Sequence, residues 1–534
     1  MLRYRSAETE LPGSPFHAAA GLAESGLFDQ YVVYEREGDV RFAGGVLGEV
    51  VVTRSEVCGR WLAEETATPL GPHPLRQVGD HLDHMGVEDW RAYGWMAFEF
   101  SHLHAGRPDR AGDGELLRLV VPHSEVRLHQ GRAEVRSADQ HTLEALAASL
   151  GRPVGRAVAP PWPVDVTDTE GRYPELVARA VEEIRTTGLQ KVILSRSVPV
   201  PFPVDFVGTY LHGRSHNTPA RSFLLHLGGR RVVGFSPETV AEVSADGEVV
   251  TQPLAGTRAR GLGREEDERL RAELLADPKE ISEHVLSVKL AEEELATVCR
   301  PGSVSVRDLL SIRRRGSVQH LGSSVRGRLA DTATAWDVLR AVFPAVTASG
   351  IPKASAYDCI ARLEGGRRGI YSGAVLMAGS DGDLDAALVL RSLFEEDGRT
   401  WLRAGAGILA GSTPARELEE TCEKLRSVAP YIVPALTPAA GSVPGAPGPG
   451  TGSVPGAPGP GTGSVPGAPG PGTGSAPDSV QGPPSVQGPP SVPGPVPGGV
   501  RSPGPVPGVV RSPGPASGVV RPPGGTADDL RPLS

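Results

Sequence analysis

The sequence predicts an α+β fold, antiparallel sheet with helices packed on its outside, and three observations lead to it. From about residue 170 to the mid-430s, runs rich in β-branched and aromatic residues are mostly joined by turns and hairpins, which fits poorly with a regular βαβ repeat. Hydrophobic residues make up 39% of the 534, enough for a sizeable core over most of the chain. Near Thr437 the composition changes abruptly, so the fold class applies to residues 1–436.

Taken in order, residues 1 to about 150 read as short strands at 31–35, 49–54, 93–100 and 116–121, with a helix at 139–150. No catalytic pattern stands out among them. A proline-rich stretch, 152–163, reads as a connection. Beyond it, 172–189 reads as helix and 191–200 as strand, followed by adjoining strands at 222–228, 231–235 and 239–243. Further strands are expected at 317–329, 369–378, 384–394 and 400–409.

The segment 437–534 holds 26 of the 51 prolines and no aromatic residue, lysine or glutamate, so it cannot bury enough apolar surface to fold. The unit Gly-Ser-Val-Pro-Gly-Ala-Pro-Gly-Pro-Gly-Thr runs three times from Gly441. Two Ser-Val-Gln-Gly-Pro-Pro units and several resembling Val-Arg-Ser-Pro-Gly-Pro follow. Glycine does not recur at every third position, which rules out a collagen helix. A disordered, partly polyproline-II tail is expected, and docking to a proline-reading partner is the binding role open to it.

A formal charge of -9 and the lack of a long basic run argue against nucleic-acid binding. No apolar stretch approaches membrane-spanning length, and the first fifteen residues lack the apolar core of a signal peptide, so a cytoplasmic location is expected. Cys58, Cys299, Cys359 and Cys422 have no paired or zinc-ligand spacing and read as free thiols, mostly packing residues. Lysine is rare, only Lys191, Lys279, Lys289, Lys353 and Lys424, so each remaining one is a candidate for a place that arginine cannot fill.

Two acidic segments stand out, Lys279 to His284 and Glu417 to Lys424. Each carries glutamates three residues apart, Glu280 with Glu283 and Glu417 with Glu420, a spacing that puts both carboxylates on one helix face. If the two faces meet, four carboxylates converge, which is costly unless a hard divalent cation such as Mg²⁺ sits between them. The structural alternative is that Asp277-Pro278 and Thr413-Pro414 open helices whose first turns favour acidic residues, with Glu280 in a capping box.

Between Lys191 and Lys424 the chain also resembles a known family. Lys191-Val-Ile-Leu-Ser-Arg196, Phe235-Ser-Pro-Glu238, Pro253-Leu-Ala-Gly-Thr-Arg258, the Lys279 segment, Val318-Gln-His-Leu321, Phe343 through Lys353, Tyr371-Ser-Gly-Ala374, Arg403-Ala-Gly-Ala-Gly-Ile408 and the Glu417 segment are similar, in order, to the motifs of the chorismate-utilising enzymes. The resemblance implies a single catalytic domain over 1–436, in which residues 1–165 form an N-terminal portion and residues 166–436 bear the motifs. Its fold would be two layers of antiparallel sheet wrapped by helices. It implies chorismate as substrate and Mg²⁺ as cofactor, with Glu283 and Glu420 as direct ligands and Glu280 and Glu417 holding the metal's waters.

The same resemblance assigns the remaining roles. Lys191 would activate water as general base, and Glu238 would give a proton to the departing C4 hydroxyl of chorismate as water enters at C2. Tyr371 and Arg391 would grip the enolpyruvyl carboxylate. Gly405 and Gly407 would bring backbone N–H groups close to a carboxylate. Lys424 would lie near the metal-bound end. Gly256, Thr257, His320 and Thr347 would line the ring, with His320 near the C1 carboxylate. Without the family, Lys191 reads as a strand-end surface lysine, His320 as a satisfied strand histidine, and Gly405-Ala-Gly407 as a turn or bulge.

Lysine at position 191 disfavours the ammonia-using anthranilate synthases, which typically carry glutamine there. Aminodeoxychorismate synthases can carry lysine, but they have a Pro-Ile-Lys-Gly-Thr type motif where this chain has Pro253-Leu-Ala-Gly-Thr257, so the resemblance implies a water-using member. Phe343 through Lys353, with Gly316 through Ser323, resembles the siderophore-associated salicylate synthases more than the isochorismate synthases. Release of salicylate and pyruvate through isochorismate is therefore the expectation, and stopping at isochorismate is the alternative. Anthranilate synthase is a weaker reading, since no amidotransferase domain is fused here and no amidotransferase subunit is expected. A silent scaffold serving the tail is a fourth.

Overall fold

The computed structural model describes residues 1–62, 64–150, 158–168 and 171–436. The expected disordered tail, 437–534, lies outside the described residues, as do 152–157 of the expected connection. Two large antiparallel sheets carry the fold. The first runs Arg5–Leu11, Gly131–Ser137, Ser124–His129, Asp39–Gly44, Tyr31–Arg36, Arg221–Leu227, Arg230–Ser236, Ser392–Glu396, Arg399–Ile408, Lys191–Pro199 and the short Gly350–Ile351. The second runs Leu254–Ala259, Val318–Arg328, Glu248–Thr251, Thr239–Val243, Leu384–Leu388, Ala374–Gly379, Arg91–Met96, Leu117–Val121, Gly48–Val52, Glu56–Trp61 and Glu64–Pro69, with Ser305–Arg315 paired to Val318–Arg328.

The sheets pack face to face across Tyr34, Phe223, Val232 and Phe394 of the first and Tyr93, Trp95, Val375 and Ala387 of the second, all buried. Helices cover the outer faces. Pro74–His84, Pro278–Ala296 and Ala335–Val342 pack on the second sheet, and Pro15–Glu24, Gln140–Leu150 and Phe206–His216 on the first. Arg172–Thr186 and Lys353–Glu364 close over the Lys191 strand. The α+β class and the two-layer architecture are as expected. The four cysteines are free, and three of them are buried.

The N-terminal strands belong to both layers. Tyr31–Arg36 pairs with Arg221–Leu227, and Arg91–Met96 pairs with Ala374–Gly379. The expected strand at 384–394 is in fact two. Leu384–Leu388 belongs to the second sheet and Ser392–Glu396 to the first, and the chain crosses between them through Arg391, whose φ is +51°. The expected strand at 93–100 ends at Met96, and Phe100–His104 is helical. The one at 369–378 starts only at Ala374, after a turn closed by Gly373 N–H donating to the Ile370 carbonyl at 2.9 Å.

Candidate active site

The chain also passes between the sheets at Pro237-Glu238, from Arg230–Ser236 of the first to Thr239–Val243 of the second. The two crossings run side by side. Leu388 N–H donates to the Glu238 carbonyl at 3.1 Å, and Phe235 N–H donates to the Arg391 carbonyl at 3.2 Å. Glu238 and Arg391 are thereby fixed at the seam between the sheets. There they line a small cavity of about 60 Å³ together with Gly256, Thr257, Glu283, His320, Thr347, Tyr371, Gly405, Gly407, Glu420 and Lys424.

Each wall has a local reason. Leu254–Ala259 bulges between Ala255 and Thr257, with Gly256 at φ +79°, a conformation costly for residues with a Cβ. His320 lies on the paired strand, its Nδ1 3.2 Å from Thr257 Oγ1 and 3.1 Å from the Gly256 carbonyl. The carbonyl can only accept, so Nδ1 carries the hydrogen and Nε2 is free to accept from Arg391. Burial and the charges of Arg391, Lys424 and Arg315 hold the imidazole neutral, well below its ordinary range. Gly407 presents no Cβ to Glu283, whose carboxylate occupies that space.

Glu238 is buried, and its Oε1 accepts from Thr347 Oγ1 at 2.6 Å. Burial pushes its carboxyl up to about 8, against the opposing pull of that hydrogen bond and of Lys191, so it holds a proton at neutral pH. Burial, aided by Arg315, draws Arg391 down to about 9. Among the described residues no Asp or Glu pairs with this guanidinium, which instead bonds the Arg315 carbonyl at 3.3 Å and the His320 ring. A buried cation without a counter-ion is a ready place for a ligand carboxylate.

Lys191 lies behind the cavity wall and is fully buried, with Nζ 3.0 Å from Glu283 Oε1 and 3.1 Å from Ser287 Oγ. Ser287 in turn donates to the Glu283 carbonyl at 2.8 Å. The strand-end surface reading of Lys191 does not hold. Tyr371 faces the cavity with Arg403 stacked over its ring at 5.3 Å, and Glu364 holds Arg403 from behind at 2.7 Å. Arg403 and Ser287 received no role from the sequence, although Arg403 opens one of the family motifs.

Both glutamate pairs sit near helix starts. Asp277 caps Pro278–Ala296, accepting from the N–H groups of Lys279 and Glu280 at 2.9 and 3.3 Å. Glu280 is not in a capping box, because Arg258 and Lys279 take its side chain at 3.4 Å each. The pairs face one another across Lys279, which stands 3.1 Å from Glu417, 3.4 Å from Glu280 and 3.9 Å from Glu283. Lys424 pairs with Glu420 at 2.8 Å and donates to the Gly405 carbonyl at 2.8 Å.

Burial and the neighbouring Glu420 carboxylate push Glu417 up, and burial with Glu420 does the same to Glu280. Glu420 itself is held low against burial by Lys424 and Lys279. The Oε2 atoms of Glu280, Glu417 and Glu420 are buried without a hydrogen-bond partner. Among the described residues no three His, Cys, Asp or Glu side chains are drawn together as a metal-ligand group. The donor chemistry nonetheless fits a hard divalent cation, since several carboxylate oxygens on two facing helices are left with lone pairs unused.

Comparison with known proteins agrees with this architecture. The salicylate synthase of Mycolicibacterium paratuberculosis is 45% identical over 408 residues, 76% of this chain and 90% of that protein. The anthranilate synthase component 1 of Streptomyces coelicolor is 43% identical over 291 residues, 53% of this chain and 56% of that protein. Among solved structures, the menaquinone-specific isochorismate synthase of Escherichia coli superposes with a TM-score of 0.61 at 22% identity, covering 81% of this chain and 95% of that one. The anthranilate synthase component I of Streptococcus pneumoniae gives 0.62 at 24%, covering 74% and 92%. A family profile described as chorismate binding enzyme matches residues 51–430, and on that match and the identity to its relatives this chain belongs to the chorismate binding enzymes.

Proposed function

We propose that this chain is a Mg²⁺-dependent salicylate synthase that takes chorismate to isochorismate and then to salicylate and pyruvate. Residues 1–436 would form its one catalytic domain, working in the cytoplasm. What carries the reading is one juxtaposition at the seam between the sheets, a protonated Glu238, an uncompensated Arg391 and the buried amine of Lys191 behind Glu283. The 45% identity to a salicylate synthase along 90% of its length supports that product over its alternatives.

In this scheme Arg391 and Tyr371 hold the enolpyruvyl carboxylate, while Thr257 and His320 stand along the ring. Glu283 and Glu420, with Glu280 and Glu417 outside them, would hold Mg²⁺, which supplies positive charge opposite the ring carboxylate. Lys191, held by Glu283 and Ser287, would take the proton of the attacking water as general base. Oxygen from that water bonds C2, the double bonds shift, and the C4 hydroxyl leaves as water with the proton Glu238 gives it. The first step is therefore a net isomerisation. In the second, the C2 hydrogen passes to the enolpyruvyl group as its bond to the ring breaks, giving pyruvate and the aromatic ring. That step needs a shaped pocket rather than a further acid or base.

The test is incubation with chorismate and Mg²⁺, with products separated by chromatography. Salicylate with equimolar pyruvate supports the reading, and isochorismate accumulating without pyruvate moves the chain to isochorismate synthase. Chorismate left untouched refutes both.

A further inference from the structure

The glutamate pairs straddle a partition. Glu283 and Glu420 line the inner cavity, whereas Glu280 and Glu417 lie on the floor of a separate outer cleft of about 730 Å³. Its walls come from the helices Arg264–Ala276 and Pro414–Leu425. Lys279 lies on the same floor and is the lysine that spans both pairs, reaching Glu280 and Glu283 on its own helix and Glu417 on the facing one. Lys191 and Lys424 each pair with one glutamate of the four, from the inner side. A single ammonium thus bridges the two acidic faces, the place a shared divalent ion would take.

An ammonium is an imperfect tenant. Its three hydrogens leave the Oε2 atoms of Glu280, Glu417 and Glu420 buried without partners, whereas a six-coordinate ion with its waters would serve more of them. The side chain is 22% exposed, so the outer cleft gives it somewhere to go. We infer that Lys279 is a tethered stand-in for the metal. It neutralises the glutamates in the metal-free protein and plugs the passage between cleft and cavity. It swings out into the cleft when Mg²⁺ enters from that side. This rests on the proposed Mg²⁺ site and adds to it a resident competitor and a route of entry.

Competition of this kind lowers apparent metal affinity by the fraction of time the site is plugged. The experiment uses the full chain and its Lys279→Met variant, with Mg²⁺ alone as probe. Calorimetric titration is expected to show Mg²⁺ binding at least tenfold tighter in the variant. Its melting temperature should fall below wild type in EDTA and match wild type in saturating Mg²⁺, because a displaced lysine contributes nothing to the loaded protein. A lysine that is merely structural would lower both melting temperatures alike, and that result overturns the inference. So does equal affinity in the two proteins. Absence of Mg²⁺ binding in both overturns the metal site as well, whereas binding confined to the variant supports the plug. Should the variant not fold, reductive methylation of wild type decides. Labelling of Lys279, read by mass spectrometry, rises at least threefold with Mg²⁺ if it swings out, and an unchanged rate overturns the inference.

Discussion

Replacing Glu238 with glutamine keeps the size of the side chain and an oxygen to accept from Thr347, and removes only the titrating proton. In the folded protein that carboxyl is raised from 4.5 to about 8. At about 1.4 kcal/mol per unit, burying the ionised form costs about 5 kcal/mol. Because the folded value lies above the unfolded one, the contribution is whole below about 4.5 and is lost as pH rises toward 8. Between pH 6 and 8 the loss amounts to about 2 kcal/mol, and Glu238→Gln abolishes it. Urea denaturation at pH 6, 7 and 8 measures this directly, as a fall in stability that is about 2 kcal/mol smaller in the variant than in wild type, the remainder coming from other raised carboxyls such as Glu417. A general acid must also be protonated, so wild-type turnover should decline as pH passes about 8, and the variant should lose about 10²- to 10⁴-fold. Identical pH slopes in the two proteins, with turnover within tenfold, would refute both the burial argument and the assignment of Glu238 as the acid.

Lys191→Ala should abolish isochorismate and salicylate together, because it removes the proposed base of the first step; liquid chromatography of a single-turnover mixture reads this. Arg391→Met is expected to raise KM for chorismate at least tenfold, since a buried guanidinium that awaits a carboxylate is lost, and steady-state kinetics measures it. Gly407→Ala places a methyl against the Glu283 carboxylate. Displacing that side chain should cost about 1–3 kcal/mol in thermal denaturation and weaken Mg²⁺ binding in calorimetry. Removing residues after Pro438 should leave kcat within twofold of the full chain, and a large drop would show that the tail belongs to the active fold.

The acidic pairs were legible because a three-residue spacing on a helix is a local property. Their mutual approach, and the lysine between them, were not, because these depend on how two helices far apart in the chain are set against one another. The scarcity of lysine was the one signal that Lys279 mattered. The run 384–394 read as a single strand because its apolar residues are nearly continuous, as they must be where a strand is buried on both faces. Only the backbone at Arg391 reveals the crossing, and a positive φ at a residue other than glycine leaves no mark in composition. His320 and Gly256 show the same limit. Their hydrogen bond joins neighbouring strands, and register is set by long-range packing that no short motif encodes.

The way the N-terminal strands are shared between both layers has a consequence for biosynthesis. Tyr31–Arg36 cannot pair with Arg221–Leu227 until nearly two hundred further residues have been made, and Arg91–Met96 waits still longer for Ala374–Gly379. The second sheet is complete only once Leu384–Leu388 has been made, and the first only once Arg399–Ile408 has left the ribosome and paired with Lys191–Pro199. Such long-range pairing makes folding slow and leaves strand edges open in the nascent chain, so chaperone capture during synthesis is the expected route to active enzyme, and co-expressed halves of the chain should assemble poorly.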